Sequence, residues 1–137
     1  MKEVFADTQY LVAMLDRRDP WSARAHAASR LLDGATIVTT DDVLVEMLGF
    51  VSAYGPRVRR VAVDTCRSLW SHSGALVIPQ SRELLDRGLD LYATRLDKGY
   101  SLVDCISMVT MRSRGIRECL TADRHFAQEG FAALMMP

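Results

Sequence analysis

Short apolar runs bounded by turn residues alternate along the chain with longer stretches whose apolar positions recur every three or four residues. That order predicts an α/β domain with a largely parallel sheet. Strands are expected at 3–6 (EVFA), 36–40 (TIVTT), 75–79 (ALVIP), 118–121 (ECLT) and 131–135 (FAALM). Glycines 34, 74, 115 and 130 stand before four of them, each placed to stop a helix and feed a strand. Asp19-Pro20 reads as an N-cap and first-turn proline for a helix running toward Leu32, and Gly55-Pro56 separates helices at 42–54 and 57–72. In the second of these, Val58, Val61, Ala62, Thr65, Cys66 and Leu69 form one stripe; Leu84, Leu85, Gly88, Leu89, Tyr92 and Leu96 do the same over 81–97.

Two helical stretches break the pattern. In SLVDCISMVTM, 101–111, every third residue is polar (Ser101, Asp104, Ser107, Thr110) and the rest are apolar, so one drifting polar line marks an otherwise buried helix and reads as the wall of a site. In VLVEMLGFV, 43–51, Glu46 is equally isolated. Neither carboxylate has a neighbouring Lys or Arg, and an unpaired buried charge costs several kcal/mol or takes up a proton.

Two more acids follow predicted strands directly, Asp7 after the first and Asp123 after the fourth. Ligands of open α/β sheets bind at the carboxyl ends of strands. Each of three acids also has a purely local reading: Asp7 and Asp123 as helix N-caps, and Ser101-Leu-Val-Asp104 as a capping box. Glu46 has none, because Val43 stands where the capping hydroxyl belongs.

Composition narrows the chemistry. The 137 residues suit one domain, and 49% hydrophobic with 25% charged residues is the profile of an ordinary soluble globular protein, with no apolar run long enough for a membrane span. Seventeen basic and seventeen acidic residues balance, so any polyanion must be held by local patches. Cys66, Cys105 and Cys119 are odd in number and widely spaced, which disfavours a disulfide framework or zinc site and suits a reducing cytoplasm; the amino-terminal stretch carries no targeting pattern. His26, His72 and His125 are scattered, only His125 lying near an acid. Four carboxylates gathered without a His or Cys cluster are tolerable around a hard divalent cation, magnesium with manganese able to replace it. A cation so held keeps several waters, one of which can attack phosphorus.

Four pieces together resemble the PIN-domain ribonucleases, and in particular the VapC-type toxins: ADT at 6–8, TTDDVLVEML at 39–48, DKGYSLVDCISM at 97–108 and LTADRHFAQEGF at 120–131. They come in the family's order and span nearly the whole chain. The resemblance implies a three-layer α/β/α domain with a mostly parallel sheet of four to five strands, and a magnesium-dependent endoribonuclease, the toxin of a type II toxin–antitoxin pair. It places the metal-binding and catalytic quartet on Asp7, Glu46, Asp104 and Asp123, and orienting hydroxyls on Thr8, Ser101 and Thr121. It also implies a homodimer and a small VapB-like antitoxin as partner. Val103 departs from the pattern, standing where a hydroxyl residue is common in similar sequences.

For holding RNA, Lys98 and Arg124 are the nearest cations in sequence to Asp104 and Asp123. Arg57, Arg59, Arg60 and Arg67 share one helix, and Arg112, Arg114 and Arg117 crowd the end of the Asp104 helix. The opposing reading is a non-catalytic RNA-binding or protein-interaction module on the same fold, which gives no physical reason to keep Glu46 in an apolar helix. A phosphatase or phospho-accepting receiver fits worse, since Gln9 stands where a D-x-D motif needs its second acid. Trp21 and Trp70 are expected to pack, and Met108, Met111, Met135 and Met136 to fill core gaps.

Overall fold

The computed structural model describes residues 2–137. In chain order the elements are β1 (Glu3–Ala6), α1 (Thr8–Leu15), α2 (Ser22–Arg30), β2 (Thr36–Thr40), α3 (Asp41–Phe50), α4 (Pro56–Ser71), β3 (Ala75–Ile78), α5 (Arg82–Thr94), α6 (Leu102–Arg114), β4 (Glu118–Leu120), α7 (Arg124–Gln128) and β5 (Ala132–Ala133). The strands form one five-stranded sheet in the order β3-β2-β1-β4-β5, every pair parallel. Val4, Phe5 and Ala6 of β1 and Val38 of β2 are fully buried, as expected of central strands covered on both faces.

The strand order decides where a ligand can sit. From β1 the chain moves outward through β2 to β3, then crosses back to place β4 on the other side of β1. Right-handed crossovers put the helices of the two directions on opposite faces, which opens a crevice between the carboxyl ends of β1 and β4. Phe5 is in register with Cys119 and Ala6 with Leu120, so the residues following both strands emerge side by side in that crevice. Across it, α6 enters by a capping box in which Ser101 and Asp104 bond each other's backbone amides, and it leaves at Gly115, whose φ of 69° supplies the left-handed C-cap.

Several expectations shift. The last strand holds only two residues, although the amides of Leu134 and Met135 still bond the carbonyls of Cys119 and Thr121. The predicted 42–54 helix ends at Phe50, and residues 51–53 form turns before Gly55, which has a φ of 92°. On α5 the buried face is Leu84, Gly88 and Leu91, while Leu89 and Tyr92, and Leu96 just beyond the helix, are exposed. Gly88 fixes that face: a Cβ there would lie 2.6 Å from Ile106 Cγ1, so the backbones of α5 and α6 touch at this point. Trp70 is 61% exposed and donates its indole N–H to Asp41 Oδ1 at 3.1 Å, and Met136 is also exposed; neither packs in the core. No described helix is long and apolar enough to cross a membrane.

Candidate active site

Asp7, Thr8, Gln9, Asp19, Glu46, Ser101, Asp104 and Asp123 line one cleft of about 700 Å³ at the crevice, with Val12, Pro20, Trp21 and Phe50 forming its apolar side. All four carboxylates read from the sequence are therefore brought to a single place. Asp7 opens α1 but its side chain caps no amide; it is buried, and among the described residues its side chain takes one hydrogen bond, which Thr121 Oγ1 donates to Oδ2 at 2.9 Å. The same hydroxyl accepts the Asp123 amide at 3.0 Å, so one threonine at the end of β4 positions acids from both central strands. Glu46 sits on α3 and accepts from Thr8 Oγ1 at 2.5 Å.

Asp104 and Asp123 show that the local and chemical readings do not compete. Asp104 Oδ2 accepts the Ser101 amide at 3.1 Å, and Asp123 Oδ1 accepts the His125 amide at 2.9 Å. Each carboxylate thus has one oxygen anchored to backbone while its group still faces the cleft.

The electrostatics are those of a site short of positive charge. Burial, then the nearby Asp104 carboxylate, pushes Asp7 up to about 7 against the Thr121 bond that lowers it. Burial is also the first cause that raises Glu46, with Asp104 adding to it, and the first that raises Asp104, with Asp123 adding to it. Among the described residues no Lys or Arg forms an ion pair with any of the four. Carboxylates collected at this density with no Lys or Arg partner among the described residues form a donor set suited to a divalent cation.

Four residues at the site were not assigned to it from the sequence. His125, on α7, brings Nδ1 to 3.4 Å from both Asp104 Oδ2 and Asp123 Oδ1; its place two residues after Asp123 was the available signal. Gln9 Oε1 accepts the Ala122 amide at 2.8 Å and ties the turn after β1 to the turn after β4. Trp21 and Phe50 form the apolar wall, which depends on loop geometry that periodicity does not report.

The expected polar line on α6 reaches the cleft only through Ser101 and Asp104. Ser107 and Thr110 are buried farther along, since each turn of helix carries the chain about 5.4 Å away. The arginines at the far end of α6 turn elsewhere: Arg112 bonds Glu129 and Arg114 bonds Glu3, at the start of β1 and so at the opposite end of the strand from Asp7. Lys98 lies 3.7 Å from Asp97, and Arg124 is exposed beside Asp123.

A parallel sheet whose strand order reverses beside a cluster of carboxylates defines an α/β domain with an anionic cleft at its strand ends. The PIN-domain model matches residues 4–131, and the chain belongs to the PIN-domain family. In fold it is similar to the crystal structure of Mycobacterium tuberculosis VapC20, a sarcin–ricin loop cleaving toxin, with a TM-score of 0.81 and 22% identity over 94% of this chain and 96% of that one. None of the curated protein sequences matches it.

Proposed function

We propose that the chain is a divalent-cation-dependent endoribonuclease and the toxin half of a toxin–antitoxin pair. The carrying observation is the gathering of Asp7, Glu46, Asp104 and Asp123 in one cleft with no Lys or Arg to neutralise them. Membership of the PIN-domain family and the likeness to a toxin that cuts an RNA loop support the same reading.

Asp7, Asp104 and Asp123 would hold magnesium or manganese, which supplies charge neutralisation at the phosphate and a nucleophilic water. Thr121 keeps Asp7 and Asp123 in register. Glu46, half-buried and oriented by Thr8, is placed to accept the proton that the attacking water gives up, and its raised proton affinity suits that task. Trp21 and Phe50 give the substrate an apolar wall, and Lys98 and Arg124 are the cations nearest in sequence to the acids. A VapB-like antitoxin would silence the protein by covering the cleft, and a homodimer and cytoplasmic location belong to the same proposal.

Incubating purified, antitoxin-free protein with structured RNAs and magnesium, with and without a chelator, tests it. Cutting is expected from the wild type and not from Asp7→Asn or Asp104→Asn. Equal cutting by all three would trace the activity to a contaminant.

A further inference from the structure

Resting on that reading, the geometry points to His125 as a nitrogen ligand to the cation that Asp104 and Asp123 hold, so that the site favours manganese over magnesium. Nδ1 of His125 is equidistant, at 3.4 Å, from Asp104 Oδ2 and Asp123 Oδ1, and the donor atoms of the three residues all lie within 4.8 Å of one another. A separation of 3.4 Å is that of a long hydrogen bond between His125 and Asp104. It is also the spacing of neighbouring donors in a shared coordination shell: atoms about 2.1 Å from an ion and 90–109° apart lie about 3.0–3.4 Å from each other.

The ring does not reach this place by chance. The Asp123 carboxylate accepts the His125 amide at 2.9 Å, which pins the start of α7. Tyr100 packs on the imidazole with ring centres 5.1 Å apart, and its hydroxyl donates to Glu129 at 3.2 Å. Glu129 is in turn clamped by Arg95 and Arg112 at 2.7 and 2.5 Å. The imidazole is therefore oriented by groups outside the cleft, and its Nε2 edge is turned toward Gly99, leaving Nδ1 for the acids.

The donor chemistry sets the consequence. Magnesium takes carboxylate, phosphate and water oxygens, whereas imidazole suits the transition metals, so one ring nitrogen tilts a carboxylate site away from magnesium. Asp7 and Glu46 stand outside the close set of three.

The test loads RNA-free wild type, His125→Phe, His125→Gln and Asp104→Asn with Mn2+, and reads binding by electron paramagnetic resonance and bound nitrogen by electron spin-echo modulation. Magnesium competition gives the selectivity, and circular dichroism checks folding. His125→Phe keeps a ring against Tyr100, and His125→Gln covers the case in which that ring does not fit. The expected result is a directly bound ¹⁴N in wild type that is lost in both His125 variants, with Mn2+ affinity down about tenfold or more and Mg2+ affinity little changed. Mn2+ bound to wild type without coordinated nitrogen, or equally well by a folded His125 variant, overturns the proposal and leaves the nuclease reading standing. Binding that Asp104→Asn does not weaken overturns both.

Discussion

Two anionic centres lie a few residues apart in this fold and are built in opposite ways. Glu129 is half-buried with its side chain covered by its partners, receives hydrogen bonds from Arg95, Arg112 and Tyr100, and is held down to about 2, chiefly by Arg95. Asp7 is more deeply buried, receives a side-chain hydrogen bond among the described residues from Thr121 alone, and is pushed up to about 7, burial being the first cause. Both are carboxylates of one small protein, so the contrast lies wholly in what surrounds them. A carboxylate supplied with its own counter-charges is part of the scaffold. One left without them is part of a site.

The contrast breaks most visibly in activity. Asn at Asp7 or Asp104 is expected to lower RNA cleavage by about 10²–10³-fold or more, while Glu129→Gln, if it folds, retains cleavage within about tenfold; initial rates on one RNA read both. In stability the order reverses. Glu129→Gln leaves two half-exposed guanidinium groups and the Tyr100 hydroxyl without their acceptor and is expected to cost about 1–3 kcal/mol, seen as a lower melting temperature at pH 7. Because the folded Glu129 has a depressed pKa, that cost is present above about 4.5 and fades as pH falls toward 2.

Asp7 carries the opposite sign. Its folded pKa lies above its unfolded value, so the metal-free protein loses stability as pH rises from about 4 to 7. Metal-free Asp7→Asn is therefore expected to melt several degrees above wild type at pH 8, with the gap closing near pH 4. Added Mn2+ should raise the wild type and not the variant, and a thermal scan at each pH decides it.

Two smaller changes act on the helix that carries Asp104. Gly88→Ala forces a methyl into Ile106 and is expected to cost about 1–3 kcal/mol in chemical denaturation. Ser101→Ala removes the cap from the Asp104 amide and costs about 1 kcal/mol, with a modest loss of cleavage as the carboxylate loosens.

The scaffold's outline was legible because it is local. The strand at 36–40 falls on the predicted residues, and the carboxylates stood out because Glu46 and Asp104 interrupt apolar periodicity. What periodicity missed depends on approach between remote elements. The exposed Leu89 and Tyr92 of α5, and Leu96 just beyond it, look like core in sequence; the contact of Gly88 with Ile106 reveals which face is inward. His125 looked like a lone histidine, because its relation to Asp104 spans 21 residues and passes through the β4–α7 turn. Arg112 looked like an RNA contact, and its commitment to Glu129 is visible only once α7 has packed.

The bond from Thr121 to Asp7 joins residues 114 positions apart. A polypeptide emerging from the ribosome gains the hydroxyl that orients Asp7 only when β4, more than a hundred residues later, pairs beside β1. A growing chain thus holds the acids of its cleft unassembled until β4 has docked, and the order of translation delays the completion of the site.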